Sequence, residues 1–178
     1  MKRFFNSILM NKDDFQIYPG DIVDLKYRYE VSELEAYDGI PTIYYEIVLH
    51  NTNTKVGEID LRLKMNEKMY FYGHVGYNII EKYRGHNYSY HACRILFTIA
   101  KNKYHLNELI LTCNPDNVAS YKTLLKLNGE LVEVAQVPRD HELYKKGDRM
   151  KCVFCYKMKI WRKNIYLSDF LYQDLEYF

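Results

Sequence analysis

The sequence predicts a mixed α/β domain, a mixed central sheet of about six to seven strands with flanking helices. Three observations predict it. From Asp21 to Ile80 the apolar residues alternate or gather in short β-branched and aromatic blocks. From Ala92 they switch to a helical period. After that helix come a buried-type strand, a second helix and two late strands, so the chain crosses over at its centre.

Each element has its own signal. Ile22, Val23, Leu25, Tyr27 and Tyr29 mark a strand over Asp21–Val31. The polar run after it breaks at Gly39 and Pro41, and TIYYEIVLH follows as a second strand. Asn51–Thr54 turns the chain into KVGEIDLRLK, where Val56, Ile59, Leu61 and Leu63 alternate with one irregularity near Gly57. MYFYGHVGYNII reads as a fourth strand, with Gly73 and Gly76 marking a bulge or a close backbone approach. Ala92, Ile95, Leu96, Ile99 and Ala100 share one face of a helix that ends near Lys103. LNELILTC is a buried strand. Asp116 or Asn117 caps a second helix carrying Val118, Tyr121, Leu124 and Leu125, which stops at Asn128-Gly129. ELVEVAQV and MKCVFCYKMKI are the late strands, joined by a charged loop over 138–149 that either covers a bound substrate or is simply solvated, the solvated reading being the simpler. Leu167, Phe170, Leu171, Leu175 and Phe178 give residues 161–178 an amphipathic helical extension capped by Ser168. It either packs on its own domain or makes a homodimer contact, and packing is the simpler reading.

Bulk properties narrow the class. A chain of 178 residues with 48% apolar and 27% charged residues suits one globular domain over 1–178. A net charge of +2 gives no electrostatic footprint for nucleic acid or an anionic membrane. No apolar run approaches the ~20 residues of a membrane span, and Asn6 and Ser7 interrupt the only apolar N-terminal stretch. A cytoplasmic protein with reduced thiols is the expectation. Cys152 and Cys155 form a CxxC in a strand, where an offset of three sends the side chains to opposite faces. No second Cys or His pair stands at zinc spacing, so no metal is expected. The tyrosines, 19 of them, read as a compositional bias rather than a recognition surface.

The junction Arg84-Gly85-His86-Asn87-Tyr88-Ser89 is the strongest chemical signal. It lies between a glycine-punctuated strand and a helix, whose N-terminal N–H groups and dipole attract phosphate. Gly85 permits close approach, Asn87 tolerates the left-handed conformation, and Arg84 adds directed charge. From Tyr77 to Gly129 the chain resembles the GNAT superfamily of N-acetyltransferases, whose Arg/Gln-x-x-Gly-x-Gly/Ala run occupies this junction. Asn87 and Ser89 replace two of that motif's small residues. A second segment, NPDNVASYKTLLKLNGEL, resembles the family's Asn-containing helix start, and the YRGHxY…CNPDN pattern resembles that of several bacterial members.

The resemblance implies acetyl-CoA as cosubstrate and direct attack of a primary amine on its thioester. The acceptor would be a small molecule or a peptide amine, and its identity stays open. It implies that the backbone of Arg84, Gly85, His86, Asn87, Tyr88 and Ser89 cradles the pyrophosphate, that backbone groups of Tyr77 and Ile79 pair with the pantetheine, that Asn117 contacts the same arm, and that Ser120 lies near the thioester. His74 takes the place where many relatives carry a base, and an imidazole suits that work. Asp60 and Glu58 are the runners-up, sharing a strand face. The family's helix tyrosine is replaced by Leu124, which leaves Ser120 and Tyr121 as candidate proton donors. These departures also admit a catalytically weak CoA-binding sensor or interaction module.

Overall fold

The computed structural model describes residues 16–158. The predicted C-terminal extension and the first residues of the chain lie outside them. Among the described residues are eight strands and three α-helices. The strands are β1 (Ile17–Tyr18), β2 (Val23–Val31), β3 (Thr42–Leu49), β4 (Lys55–Arg62), β5 (Val75–Ile79), β6 (Glu108–Cys113), β7 (Glu130–Gln136) and β8 (Met150–Lys157). The helices are α1 (Tyr88–Asn102), α2 (Val118–Lys126) and the single turn α3 (Glu142–Lys145).

The strands fall into two hydrogen-bonded sheets, β1-β2-β3-β4-β5 and β6-β8-β7, rather than one continuous sheet. Every ladder is antiparallel. α1 carries the chain back so that β6 runs beside the root of β5, where hydrogen bonds between His74 and Ile110 join the strands without a ladder. The irregularity expected near Gly57 is real: Ile47 pairs with Gly57 but Val48 pairs with Lys55, so Val56 is the extra residue of a bulge.

Alternation sorts the larger sheet into two faces. Leu25, Ile43, Tyr45, Ile47, Ile59, Leu61 and Val75 are buried together with Ala92, Cys93, Leu96, Ile99 and Ala100 of α1. Each fully buried aliphatic side chain contributes roughly 1.5–3 kcal/mol. The other face carries Tyr44, Glu46, Glu58, Asp60 and Arg62, and β5 sets Gly76 against Asp60. Tyr29, Tyr44, Asp60 and Gly76 therefore form one row across four strands. On β8 the Cys152 side chain is buried and Cys155 half-buried, as opposite faces require.

Two elements differ from expectation. The strand read over Met69–Ile80 begins only at Val75, and Met69–Phe71 is a 3₁₀ turn. The Asn66 carboxamide oxygen accepts from the Met69 N–H at 2.7 Å, which starts that turn, and Gly73 at φ 73° redirects the chain into β5. The loop over 138–149 is anchored rather than free. His141 is 6% exposed; its Nε2 bonds the Lys68 carbonyl at 2.9 Å and its Nδ1 caps α3 through the Leu143 N–H. The alternating charges of that segment hid one buried histidine and one buried leucine.

Candidate active site

β5 leads into the helix junction and supplies the site's axis. The Arg62 N–H donates to the His74 carbonyl and the Ile80 N–H to the Val56 carbonyl. Residues alternate in an antiparallel ladder. The even-numbered residues of β5 therefore turn their backbone groups toward β4, and Val75, Tyr77 and Ile79 turn theirs toward β6. No ladder joins β5 to β6 among the described residues. The open edge includes Tyr77, while the Ile79 carbonyl accepts from Arg84 Nε at 3.1 Å.

The root of the opening is pinned. The His74 N–H donates to the Ile110 carbonyl at 2.7 Å, and the Ile110 N–H donates back to His74 Nδ1 at 2.9 Å. The imidazole is 8% exposed, and burial holds its pKa below the ordinary value. An accepting Nδ1 places the ring proton on Nε2. His74 thus spends its lone pair on holding β6 to β5, and it would have to break that bond to act as a base.

At the far end of β5 the chain passes a 3₁₀ turn, Glu81–Tyr83, and enters α1. Gly85 has φ 87° with nothing within 4 Å of the space a Cβ would fill. Asn87 is the N-cap in the left-handed conformation, φ 56°, and its side chain makes no cap bond. His86 stacks on Tyr88 at 5.3 Å, and Ser89 turns toward Thr123 of α2 at 3.5 Å. α2 contrasts with this open end. There the Asn117 side chain accepts from the Ser120 N–H at 3.1 Å, closing the helix on itself. The unfilled N-terminal donors and the vacant approach over Gly85 suit a pyrophosphate.

Between root and junction, Tyr77 and Ser120 meet. Their hydroxyl oxygens are 2.7 Å apart. Burial pushes the Tyr77 phenol up to about 12, partly offset by Ser120 and Thr123. It keeps its proton at neutral pH. Tyr121 instead packs edge-on against Phe154 at 5.4 Å, and Leu124 is 1% exposed in the core. Sequence reasoning gave Tyr77 only a backbone part. The missed signal is parity: Tyr77 lies on the helix-facing side of β5, where its hydroxyl meets Ser120 of α2.

The opposite face of the sheet holds Asp60. Of the two base runners-up, Glu58 is exposed and ion-paired with Lys55. Asp60 keeps 18% of its side chain open and has Arg62 Nη2 at 3.0 Å. That nitrogen lies off the hydrogen-bonding direction, so Asp60 Oδ2 is buried with a charge beside it and no hydrogen bond. Next to it opens a cleft of about 260 Å³ whose walls include Tyr37, Tyr44, Arg62, Tyr72 and Glu142.

The comparisons agree with this architecture. Residues 10–130 match the family model described as an acetyltransferase (GNAT) domain. The chain belongs to the GNAT acetyltransferase family. Solved GNAT neighbours share its fold at low identity. A ribosomal-protein-alanine acetyltransferase from Vibrio fischeri superposes with a TM-score of 0.55 at 20% identity, over 68% of this chain and 64% of that one. A GNAT-family acetyltransferase from Bacillus anthracis gives 0.52 at 17% identity, over 65% of this chain and 66% of that one. This chain thus spans just under two thirds of the length of either. RimL, a ribosomal α-N-protein acetyltransferase solved with coenzyme A, gives 0.58 at 12% identity, over 80% of this chain and 98% of that one. No curated protein matches in sequence. Within this GNAT domain no helix is long and apolar enough to cross a membrane, and no group of three or more His, Cys, Asp or Glu stands together to hold a metal, among the described residues.

Proposed function

We propose that this GNAT protein moves the acetyl group of acetyl-CoA to a primary amine by direct attack. The observation that carries the reading is the opening between β5 and β6. It has an uncapped helix N-terminus at one end and the Tyr77–Ser120 hydroxyl pair along its side. The α1 N-terminus, with Gly85 and Asn87, holds the pyrophosphate. The open backbone edge at Tyr77 receives the pantetheine as an added strand, and the same edge offers an N–H to the thioester carbonyl. Asn117 supports this arrangement indirectly, by capping the helix that presents Ser120.

The departing thiolate needs a proton or a donor. Ser120 supplies it, backed by the Tyr77 hydroxyl, and this pair replaces the family's helix tyrosine. Replacing Ser120 by Ala or Tyr77 by Phe is expected to lower kcat by roughly 100-fold, the scale of a positioned proton donor. Acetyl-CoA affinity should hardly change. The double variant should be no slower than the slower single one, because the two act as a unit. Additive losses in steady-state kinetics would show two independent roles instead.

The function itself is tested by following CoA release over a panel of amines. The panel holds a polyamine, an amino sugar, an aminoglycoside, an amino acid and a short peptide with a free N-terminus. Saturable, amine-dependent release supports the transferase. Tight acetyl-CoA binding by calorimetry with no release from any amine supports the second reading, a CoA-binding module, which the replacement of the helix tyrosine by Leu124 motivates.

A further inference from the structure

We propose that Asp60 is the general base for the acceptor amine, which enters from the cleft on the sheet face opposite α1. This rests on the transferase reading and assigns the one role that reading leaves unfilled.

The placement carries the argument. Asp60 pairs with Gly76 across β4 and β5, one residue before Tyr77 and its contact with Ser120. Strand alternation puts Tyr77 on the helix face and Asp60 on the other. The thioester would lie at the β5 edge between them, with the proton donor on one face and a carboxylate on the other. With the donor pair on the helix face, the amine reaches the carbonyl from the opposite face, where Asp60 lies.

The fit at Gly76 is close. A Cβ there would stand 2.6 Å from Asp60 Oδ1 and 3.1 Å from Arg62 Nη2, so a larger residue would have to push the carboxylate and the guanidinium out of their present places. Arg62 is itself fixed, donating from Nη1 to the Gly73 carbonyl at 3.1 Å. Tyr44 and Arg62 both flank Asp60 and line the cleft. Its volume of about 260 Å³ has room for the amine-bearing end of an acceptor rather than for a large ring system.

The charged and titratable groups around Asp60 come from each neighbouring element. Arg62 and Glu58 share its strand, and Tyr44 faces it from β3 with Tyr29 stacked behind at 4.6 Å. Glu142, Lys146 and Tyr72 stand across the cleft. Tyr72 donates to Glu142 at 3.0 Å, and hydroxyl donors hold that carboxyl below its usual range. Burial raises Asp60 above the ordinary carboxylate range, with Arg62 and the Gly76 backbone pulling the other way.

The protons balance. The acceptor arrives as an ammonium and gives one proton to the Asp60 carboxylate, which returns it to solvent through its exposed edge. The amine nitrogen forms the C–N bond, and the C–S bond then breaks. The second nitrogen proton leaves as the amide forms, and the sulfur gains one from Ser120, which is reprotonated in turn. Amine cation and acetyl-CoA thus yield amide, CoA thiol and one free proton.

Three measurements test the assignment, with 1,4-diaminobutane, glucosamine and an alanyl peptide as probes. D60N should lower kcat by roughly 100-fold or more and remove the acid limb of the pH–kcat/KM profile, with the acetyl-CoA KM unchanged. D60E should recover part of kcat and keep an acid limb. An Asn variant with the wild-type rate and limb overturns the proposal, and so does an Asn variant with a reduced rate but an intact limb. In the wild-type protein, the Gly76 amide resonance should titrate above the ordinary carboxylate range and move when 1,4-diaminobutane is added. No titration, or indifference to the diamine, overturns the proposal even if the variants misfold. Wild-type protein without turnover on any probe counts against the transferase reading, and the Gly76 titration then decides Asp60 alone.

Discussion

Replacing Gly73 by Ala is expected to cost about 3 kcal/mol or more and to lower Tm on the order of 10 °C, by summing backbone strain and overpacking. Gly73 sits at φ 73°, where an L side chain is strained by roughly 1–2 kcal/mol. It also has no room. An added Cβ would lie 2.8 Å from the Ile110 carbonyl oxygen and 3.2 Å from the Leu111 Cα, both backbone atoms of β6. Neither can swing aside as the end of a side chain could, so β6 must move. That movement would strain the paired bonds between His74 and Ile110, which hold the root of the opening. Gly147 is the control: it has φ 106° but nothing within 4 Å of the position an added methyl would take. Gly147→Ala should show only the conformational part. Thermal and urea unfolding of both variants separates the two contributions, and equal losses would mean that the close approach to β6 contributes nothing. Acetyl-CoA binding by Gly73→Ala should weaken as well, since the strand edge proposed to receive the cofactor is displaced.

Replacing Gly85 by Val should raise the acetyl-CoA Kd at least tenfold, a loss of about 1.4 kcal/mol, with a modest fall in stability. Here the space is empty: nothing lies within 4 Å of the Cβ position, and φ is 87°. The branched side chain would occupy the approach to the α1 N-terminus and disfavour the backbone conformation that aims its N–H groups. Gly85→Asn divides these effects, because Asn tolerates positive φ while still placing atoms in the approach. Weak binding by both variants indicates occlusion. Weak binding by Val alone indicates that backbone conformation is what matters. Wild-type affinity in both would remove the phosphate cradle from this junction.

Much of this was legible in the sequence. Alternation in Val23–Val31, Thr42–Leu49 and Lys55–Arg62 reported one buried face per strand, and the helical period from Ala92 to Ala100 reported the face that covers it. The run Arg84–Ser89 announced a turn with a glycine and a left-handed asparagine, and both stand at positive φ in the fold. Such signals are local, and a few neighbours along the chain suffice to produce them.

The rest depended on contacts that no local pattern carries. The segment Met69–Gly73 has strand-like composition, yet it folds as a turn because Asn66 caps it and His141, far along the chain, bonds to Lys68. His74 looked like a base by position. Its lone pair goes to Ile110, 36 residues away. Tyr77 and Ser120 are 43 residues apart, and only the crossover through α1 brings their hydroxyls together. Asp60 and Glu58 were indistinguishable by spacing, and they parted because one is covered at the β5 edge and the other faces water beside Lys55. Hydrophobic period and backbone preference act within a few residues, so most strands, the two longer helices and the glycine-bearing junction before α1 could be read from the chain alone. Which polar side chains share the opening was settled by where β5 and β6 part beyond the His74–Ile110 bonds, and that is a property of the folded chain.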